Sequence, residues 1–253
     1  MQLIVDGHRT GTPEESWVAS QRLRRLPTLE TQRPRRVVVL SPHPDDEIFG
    51  AAGLIQSLLA QHVPVDLVAV SDGEASHPLA VAGGLDLRAM RARESERARR
   101  RLAWSPGAVT RLGLPDGRVG QHLDSLIVSL RAVLSPGDLC LAPWWRDGHP
   151  DHDACGTAAR VATLAQRAHL LGYLVWAWHW ADPEGTELPW ADCRRFDFDR
   201  RTAARKRWAT GAYASQTRPL GPDRDGAPVL PPAVLRRFWR PYEVFVDSSG
   251  EIG

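Results

Sequence analysis

Two periodicities alternate along this chain. Val37 to Leu40 is an unbroken β-branched and aliphatic run, the pattern of a strand covered on both faces. Leu54, Ile55, Leu58 and Leu59 then recur at helical spacing, and Val65 to Val70 reads as a second strand that ends in the turn-like Ser71-Asp72-Gly73. A strand, a helix and a strand of these lengths make a βαβ unit. A long Arg- and Glu-rich helix over 86–103 leads to a short strand at Val109 to Leu112. Leu123, Leu126, Ile127, Leu130, Val133 and Leu134 follow at 3.6-residue spacing, predicting an amphipathic helix with its apolar face inward.

The next strand is Asp138 to Ala142, followed by a loop from Pro143 to His152, a small-residue helix from Asp153 to Ala168 and a fifth strand from Leu170 to Trp178. Beyond it the pattern is less regular. Arg195 to Asp199 alternates like an edge strand, Arg201 to Tyr213 reads as helix, Pro219 to Pro232 as a loop and Tyr242 to Val246 as a last strand. Strands alternating with helices predict an α/β chain with a Rossmann-like three-layer fold and a mostly parallel sheet. Residues 1–35 mix Pro, Arg, Glu and Thr around a helical segment at Glu14 to Leu23. They read as an N-terminal extension wrapped on a single α/β domain at 36–253.

Composition adds little to this picture but removes some alternatives. The 253 residues, 43% hydrophobic, suffice for a sizeable core. With 32 basic against 30 acidic residues the formal net charge is +2, so the overall charge calls for neither nucleic acid nor an anionic membrane. The basic clusters at Arg22 to Arg25, Arg33 to Arg36 and Arg97 to Arg101 are interrupted and read as solvated faces. Cys140, Cys155 and Cys193 are too few and too scattered for a disulfide framework, which predicts a reducing compartment. The segment Met1 to Ser16 lacks the features of a secretory signal, and no run approaches the ~20 apolar residues of a membrane span. The expectation is a cytoplasmic protein acting on a small molecule, with no integral membrane segment; homo-oligomerisation is left open.

Chemistry concentrates in two places. Pro42-His43-Pro44-Asp45-Asp46-Glu47 follows the first strand and packs one imidazole and three carboxylates into five positions. Adjacent carboxylates repel and burial disfavours their charge, so the cluster calls for a cation. Gly148-His149-Pro150-Asp151-His152 follows the strand ending at Ala142. Ligands of open parallel sheets bind outside the carboxyl ends of the strands, so the topology can bring the two clusters together. Two histidines and a carboxylate with an open position suit a catalytic divalent metal. Spacing does not say which of His149 and His152, or which of Asp45 and Asp46, would bind it. Capping acids and exposed loop histidines are the bland alternatives. Cys155 reads as a small buried helix residue rather than a thiolate ligand.

On these two motifs the chain resembles the PIG-L/LmbE-like family of metal-dependent de-N-acetylases, which act on N-acetylglucosamine-containing compounds. Ser71-Asp72-Gly73-Glu74, Arg91-Ala92-Arg93-Glu94, Leu112 to Gly117 and Tyr213 to Gln216 add weaker support. The resemblance implies that His43, Asp46 and His152 bind the metal, zinc or alternatively iron. It implies Asp45 as general base, and His149, protonated, facing the reacting carbonyl. It also implies Arg91 and Asp116 as substrate contacts; Glu94, three residues on along the same helix face, is placed to orient Arg91. Asp147 stands where some relatives carry a mobile tyrosine, and Glu47 reads as a structural acid. Trp144 and Trp145 are either a sugar platform or packing anchors.

The expected activity is removal of an N-acetyl or N-acyl group from an amino sugar or sugar conjugate. Two alternatives stand beside it. One keeps the site but makes the substrate a sugar-thiol conjugate or a secondary-metabolite glycoside. The other is a non-catalytic Rossmann-like sugar- or nucleotide-binding module, opposed by the missing Gly-x-Gly-x-x-Gly turn and by acids that repel phosphate.

Overall fold

The computed structural model describes residues 11–30, 33–77, 84–105, 107–220 and 228–247. Its strands are β1 (Val37–Ser41), β2 (Val65–Ala69), β3 (Val109–Arg111), β4 (Leu139–Pro143), β5 (His169–Tyr173), β6 (Cys193–Asp197) and β7 (Tyr242–Asp247). The helices in chain order are α1 (Glu14–Ala19), α2 (Gln21–Arg24), α3 (Asp46–Ala60), α4 (Leu87–Arg101), α5 (Leu123–Val133), α6 (Pro150–Gln166), α7 (Ala177–Trp180), α8 (Arg200–Thr210), α9 (Ala214–Thr217) and α10 (Pro232–Leu235). One seven-stranded sheet in the order β3-β2-β1-β4-β5-β7-β6 carries them. The first five are mutually parallel, and β7 runs antiparallel to both β5 and β6. The mostly parallel α/β fold expected from the sequence is therefore present, with β6 at the predicted edge.

The alternation of the strand side chains builds the three layers. Val37 and Val39 enter one core with Ile55 of α3 and Ala98 of α4, whereas Val38 and Leu40 enter the other with Leu126 of α5 and Ala158 of α6. In register, Val37 pairs with Val65 on one side and Leu139 on the other. Strand order thus reverses beside β1, and the chain leaving β1 diverges from the chain leaving β4. That divergence opens the crevice in which open α/β sheets bind ligands.

Two element boundaries differ from expectation at functionally placed points. The helix predicted from Asp153 begins at Pro150, because proline's fixed φ suits the first helical position and its missing N–H would have no intrahelical partner there. The fifth strand ends at Tyr173 instead of running to Trp178, and the chain turns into the short α7. The N-terminal helical segment is split in two at Ser20, whose hydroxyl accepts from the Leu23 N–H and caps α2. Of the predicted loop from Pro219 to Pro232, residues 221–227 lie outside the described residues. Among the described residues, no helix is long and apolar enough to cross a membrane.

The segment before β1 packs on the domain. Trp17 is fully buried edge-on to Trp178 and donates from its indole to the Trp178 carbonyl at 3.0 Å. Behind the crevice, Lys206 of α8 pairs with Glu243 of β7 at 2.6 Å, both side chains being buried. Lys206 also donates to the Phe49 carbonyl, while Glu243 accepts from the N–H groups of Gly53 and Leu54. The pair therefore staples α3 to α8 and β7 across one helical turn. Removing one partner strands a buried charge, so Lys206→Met is expected to lower unfolding free energy by about 3–5 kcal/mol. Urea unfolding measures this, and an unchanged midpoint would show that the staple contributes nothing.

Candidate active site

The chain leaving β1 turns sharply. Asp45 has φ +141° and ψ −29° at the position preceding α3, a conformation that non-glycine residues rarely adopt without support. Glu47 provides that support. Its Oε2 accepts from the Asp45 N–H at 3.1 Å and the Ser41 hydroxyl at 2.7 Å, and its Oε1 accepts from the Tyr213 hydroxyl at 3.0 Å. Arg91, also buried, holds the same turn from the other side. It donates to Asp45 Oδ2 at 3.1 Å, to the Pro44 carbonyl at 3.0 Å and to the Gly73 carbonyl at 2.8 Å. Gly73 has φ +66°, and a Cβ there would lie 1.9 Å from the Arg91 guanidinium, so the close approach requires glycine.

Asp46, the first residue of α3, turns its Oδ2 back toward the loop. It accepts from the His43 N–H at 2.9 Å, and it lies 3.1 Å from His43 Nδ1 and 3.2 Å from His152 Nε2. The other ring nitrogen of His43 faces Asp116 Oδ1 at 3.1 Å and Asp151 Oδ2 at 3.2 Å. Asp151 is itself fixed by the N–H groups of Gly117 and Val119, and Asp116 by that of Ala75. His149 accepts from the Asp151 N–H through Nδ1 and so caps α6. Ligand atoms of His43, His149 and His152 lie within 4.8 Å of one another, as do those of His43, Asp116 and Asp151. The first and second motifs are therefore in contact, as their strand-end placement predicted.

The site's electrostatics separate its two adjacent aspartates. Burial pushes the Asp45 carboxyl well above its ordinary value, with Arg91 opposing and the charges of Asp46 and Glu47 reinforcing the rise. Asp46 is shifted the other way: burial opposes its charge, but the charges of His152 and His43 and the hydrogen bonds from His43 outweigh it. Asp116 falls to about 2, since its hydrogen bond to His43 overcomes burial. Burial, opposed by Asp46 and Asp147, leaves His152 raised to about 9. Burial likewise opposes the charge of His43, yet hydrogen bonds to Asp116, Asp151 and Asp46 hold its pKa well above the ordinary value. His149 goes down to about 3 through burial and the charges of His43 and His152.

Both the Asp151 N–H on Nδ1 and these surroundings work against a second proton on His149, the opposite direction from the protonated side chain that the resemblance implies. With Nδ1 accepting, its proton resides on Nε2.

The donor set fits a divalent cation. His152 Nε2 is buried and has no hydrogen-bond partner although a carboxylate oxygen lies 3.2 Å away. A cation between them would satisfy both, and two imidazoles with a carboxylate are the usual donors for one. Cys155 is fully buried and belongs to neither group of converging ligand atoms, and burial drives its thiol well above the ordinary value.

Other expected residues have different surroundings. Glu94 accepts from the N–H and hydroxyl of Ser215, away from the role of orienting Arg91. Trp144 is buried in the core and the half-buried Trp145 lies under the Arg160 guanidinium, so both are packing anchors. The aromatic ring beside the site is Trp176, whose plane is within 21° of His149 at 6.1 Å. Reading the fifth strand through to Trp178 concealed it. Asp151 went unassigned despite lying inside the second motif, where an acid one residue before a histidine was the available signal.

Residues 38–163 match the family described as PIG-L: GlcNAc-PI de-N-acetylase. This stretch is a PIG-L-family domain. No curated protein sequence matches the chain. Among solved structures, the N,N'-diacetylchitobiose deacetylase of Pyrococcus horikoshii superposes with a TM-score of 0.57 at 20% identity, covering 75% of each chain. The zinc-inhibited form of teicoplanin deacetylase Orf2 gives 0.57 at 19%, covering 72% of this chain and 85% of that one. The 4-carboxy-2-hydroxymuconate hydratase GalB of Pseudomonas putida KT2440 gives 0.51 at 18%, over 72% and 80%. These likenesses establish the fold of the PIG-L-family domain, and the hydratase among them leaves the chemistry to be argued from the site.

Tyr213 reaches Glu47 from outside the family match and is fully buried. Tyr213→Phe removes a hydrogen bond to a buried carboxylate and is expected to cost about 1.5–3 kcal/mol. Equilibrium unfolding reads the loss; stability equal to that of the parent protein would exclude Tyr213 as a brace of the Asp45 turn.

Proposed function

We propose that this protein is a divalent-metal-dependent de-N-acetylase that hydrolyses the N-acetyl or N-acyl amide of an N-acetylglucosamine-type amino sugar or sugar conjugate. The observation that carries the proposal is the pairing of Asp45, whose proton affinity is raised, with the adjacent His43, Asp46 and His152 cluster containing the unpartnered Nε2. The PIG-L family match and the deacetylases among the structural neighbours support it.

In this reading His43, Asp46 and His152 hold the cation, zinc being the leading candidate and iron the alternative. When bound, such a cation polarises a carbonyl and brings the pKa of water to about 7. Asp45 accepts the proton released from the attacking water and passes it to the amine nitrogen as the C–N bond breaks, a role that suits a carboxylate whose proton affinity burial has raised. Arg91 keeps that carboxylate aimed by fixing its Oδ2 and the preceding carbonyl. His149 donates its Nε2–H to the oxygen that gains negative charge as the amide carbon becomes tetrahedral. Trp176 forms an apolar wall next to His149, suited to a sugar face or an acyl chain. Asp116, its Oδ1 on His43, presents a carboxylate at the rim for sugar hydroxyls.

Acetate release from N-acetylated amino sugars, together with metal content, tests the proposal. Asp45→Asn is expected to retain metal and lose about 10²–10⁴-fold in kcat, whereas His152→Ala is expected to lose metal and activity together. Full activity in a metal-free His152→Ala protein would sink the reading.

The electrostatics give a second test. Asp45 works ionised, so kcat/KM should fall as pH drops through its raised pKa, above the ordinary carboxylate range. Arg91 opposes that rise; Arg91→Met should therefore move the acid limb to higher pH. A limb displaced to lower pH would contradict Asp45 as the titrating base.

A further inference from the structure

Asp147 lies in the loop between β4 and α6 and is fully buried. Its Oδ1 accepts from the N–H groups of Val175 and Ala177, at 3.0 and 2.9 Å. Its Oδ2 accepts from the Trp176 N–H at 2.9 Å and faces His152 Nδ1 at 2.8 Å. Backbone N–H groups can only donate, so both oxygens of Asp147 are already acceptors. The remaining short contact is satisfied only if His152 Nδ1 carries a proton. The ring held by this contact turns its other nitrogen, Nε2, toward Asp46 Oδ2 at 3.2 Å, where it has no hydrogen-bond partner. The main chain of the same loop is fixed too, since Trp180 donates from its indole to the Asp147 carbonyl at 2.7 Å.

From this geometry we infer that Asp147 is a positioning residue which selects the Nδ1–H form of His152 and so presents the Nε2 lone pair for a divalent cation. The same carboxylate gathers three successive N–H groups at the start of α7, and this couples the orientation of His152 to the segment carrying Trp176. A carboxylate behind a metal-binding imidazole raises its basicity and fixes its rotation. The alternative is a staple that holds α7 and leaves His152 indifferent. The two differ in what they do to the imidazole. The inference rests on His152 being a metal ligand, as proposed above.

The test uses the zinc-loaded protein, ¹⁵N-labelled at histidine. His152 should show a protonated Nδ1 and a metal-bound Nε2, and a protonated Nε2 with zinc on Nδ1 would overturn the inference without any variant. Zinc affinity, read by competition with a chromophoric chelator, should fall about 10–100-fold in Asp147→Asn. Asn keeps an acceptor for the α7 N–H groups but cannot supply acceptors on both sides. Wild-type zinc affinity in Asp147→Asn, with weak binding in His152→Ala, would overturn this inference and leave the metal reading intact. Wild-type affinity in His152→Ala would overturn both. Should Asp147→Asn fail to fold, the NMR assignment on the parent protein decides.

Discussion

Asp46 Oδ2 lies within about 3 Å of two imidazole nitrogens and one backbone N–H, inside a region that solvent barely reaches. An arrangement of this kind is unfavourable unless each member is independently held, because burial removes the solvation that would otherwise stabilise the charges. Much of the local structure meets that demand. The β1 turn fixes His43, the first turn of α3 fixes Asp46, and α6, started by Pro150, fixes His152. The crevice at the strand-order reversal is where these three pieces of chain can meet without their backbones competing for the same space.

The strain at Asp45 follows from the same constraint. Adjacent residues in a regular helix point about 100° apart, so two adjacent carboxylates aimed into one buried cluster require a break in backbone regularity. Here the break is the positive φ of Asp45, and the residues around it are matched to it. Glu47 binds the Asp45 N–H from below and Arg91 binds its carboxylate from the side. Glu47 is in turn reached by Tyr213, and Glu94 by Ser215, so α4 and the start of α9 close around the turn. Arg91, which resemblance connected with substrate, and Glu94, read as orienting it, form part of this support in the structure. The guanidinium thereby also sets how strongly Asp45 holds a proton, making architecture and acid–base chemistry one arrangement.

The parts legible in the sequence were those written in local pattern. Val37 to Leu40, the periodic leucines of α5 and the small-residue α6 each announce their element and buried face. The two motifs could be placed at strand ends because each follows an apolar run, the second across a short loop. What escaped was pairing between distant positions. Asp147 has no local signature, since its donors are backbone N–H groups in a segment that reads as a continuing strand, and backbone donors are invisible in sequence. Trp176 was hidden by that same misread boundary, because a run of apolar residues does not show where a strand gives way to a turn. Trp144 and Trp145 drew attention by position alone, and packing against Gly172 and Arg160 claims them instead. His149 lies beside His43 and His152, and its protonation depends on Asp151 N–H occupying Nδ1, a contact that exists only once Pro150 opens the helix.

The backing of the two imidazoles makes the strongest case that the cluster is built for a cation rather than merely tolerant of one. His152 has Asp147 behind it and His43 has Asp116 and Asp151, so each ring carries an acceptor on the nitrogen remote from Asp46 or His152. Two histidines that only stabilised the fold would need one satisfied partner each, and a buried nitrogen left without one would be a net cost. Instead both rings are pinned from behind, and Nε2 of His152 is left with a carboxylate at contact distance and no hydrogen bond. Carboxylates that point imidazole lone pairs inward toward a fourth carboxylate, Asp46, give an environment more favourable to a positive ion than to any neutral side chain. The fold invests its buried acids in that orientation, and the chemistry proposed for Asp45 and His149 takes place at its edge.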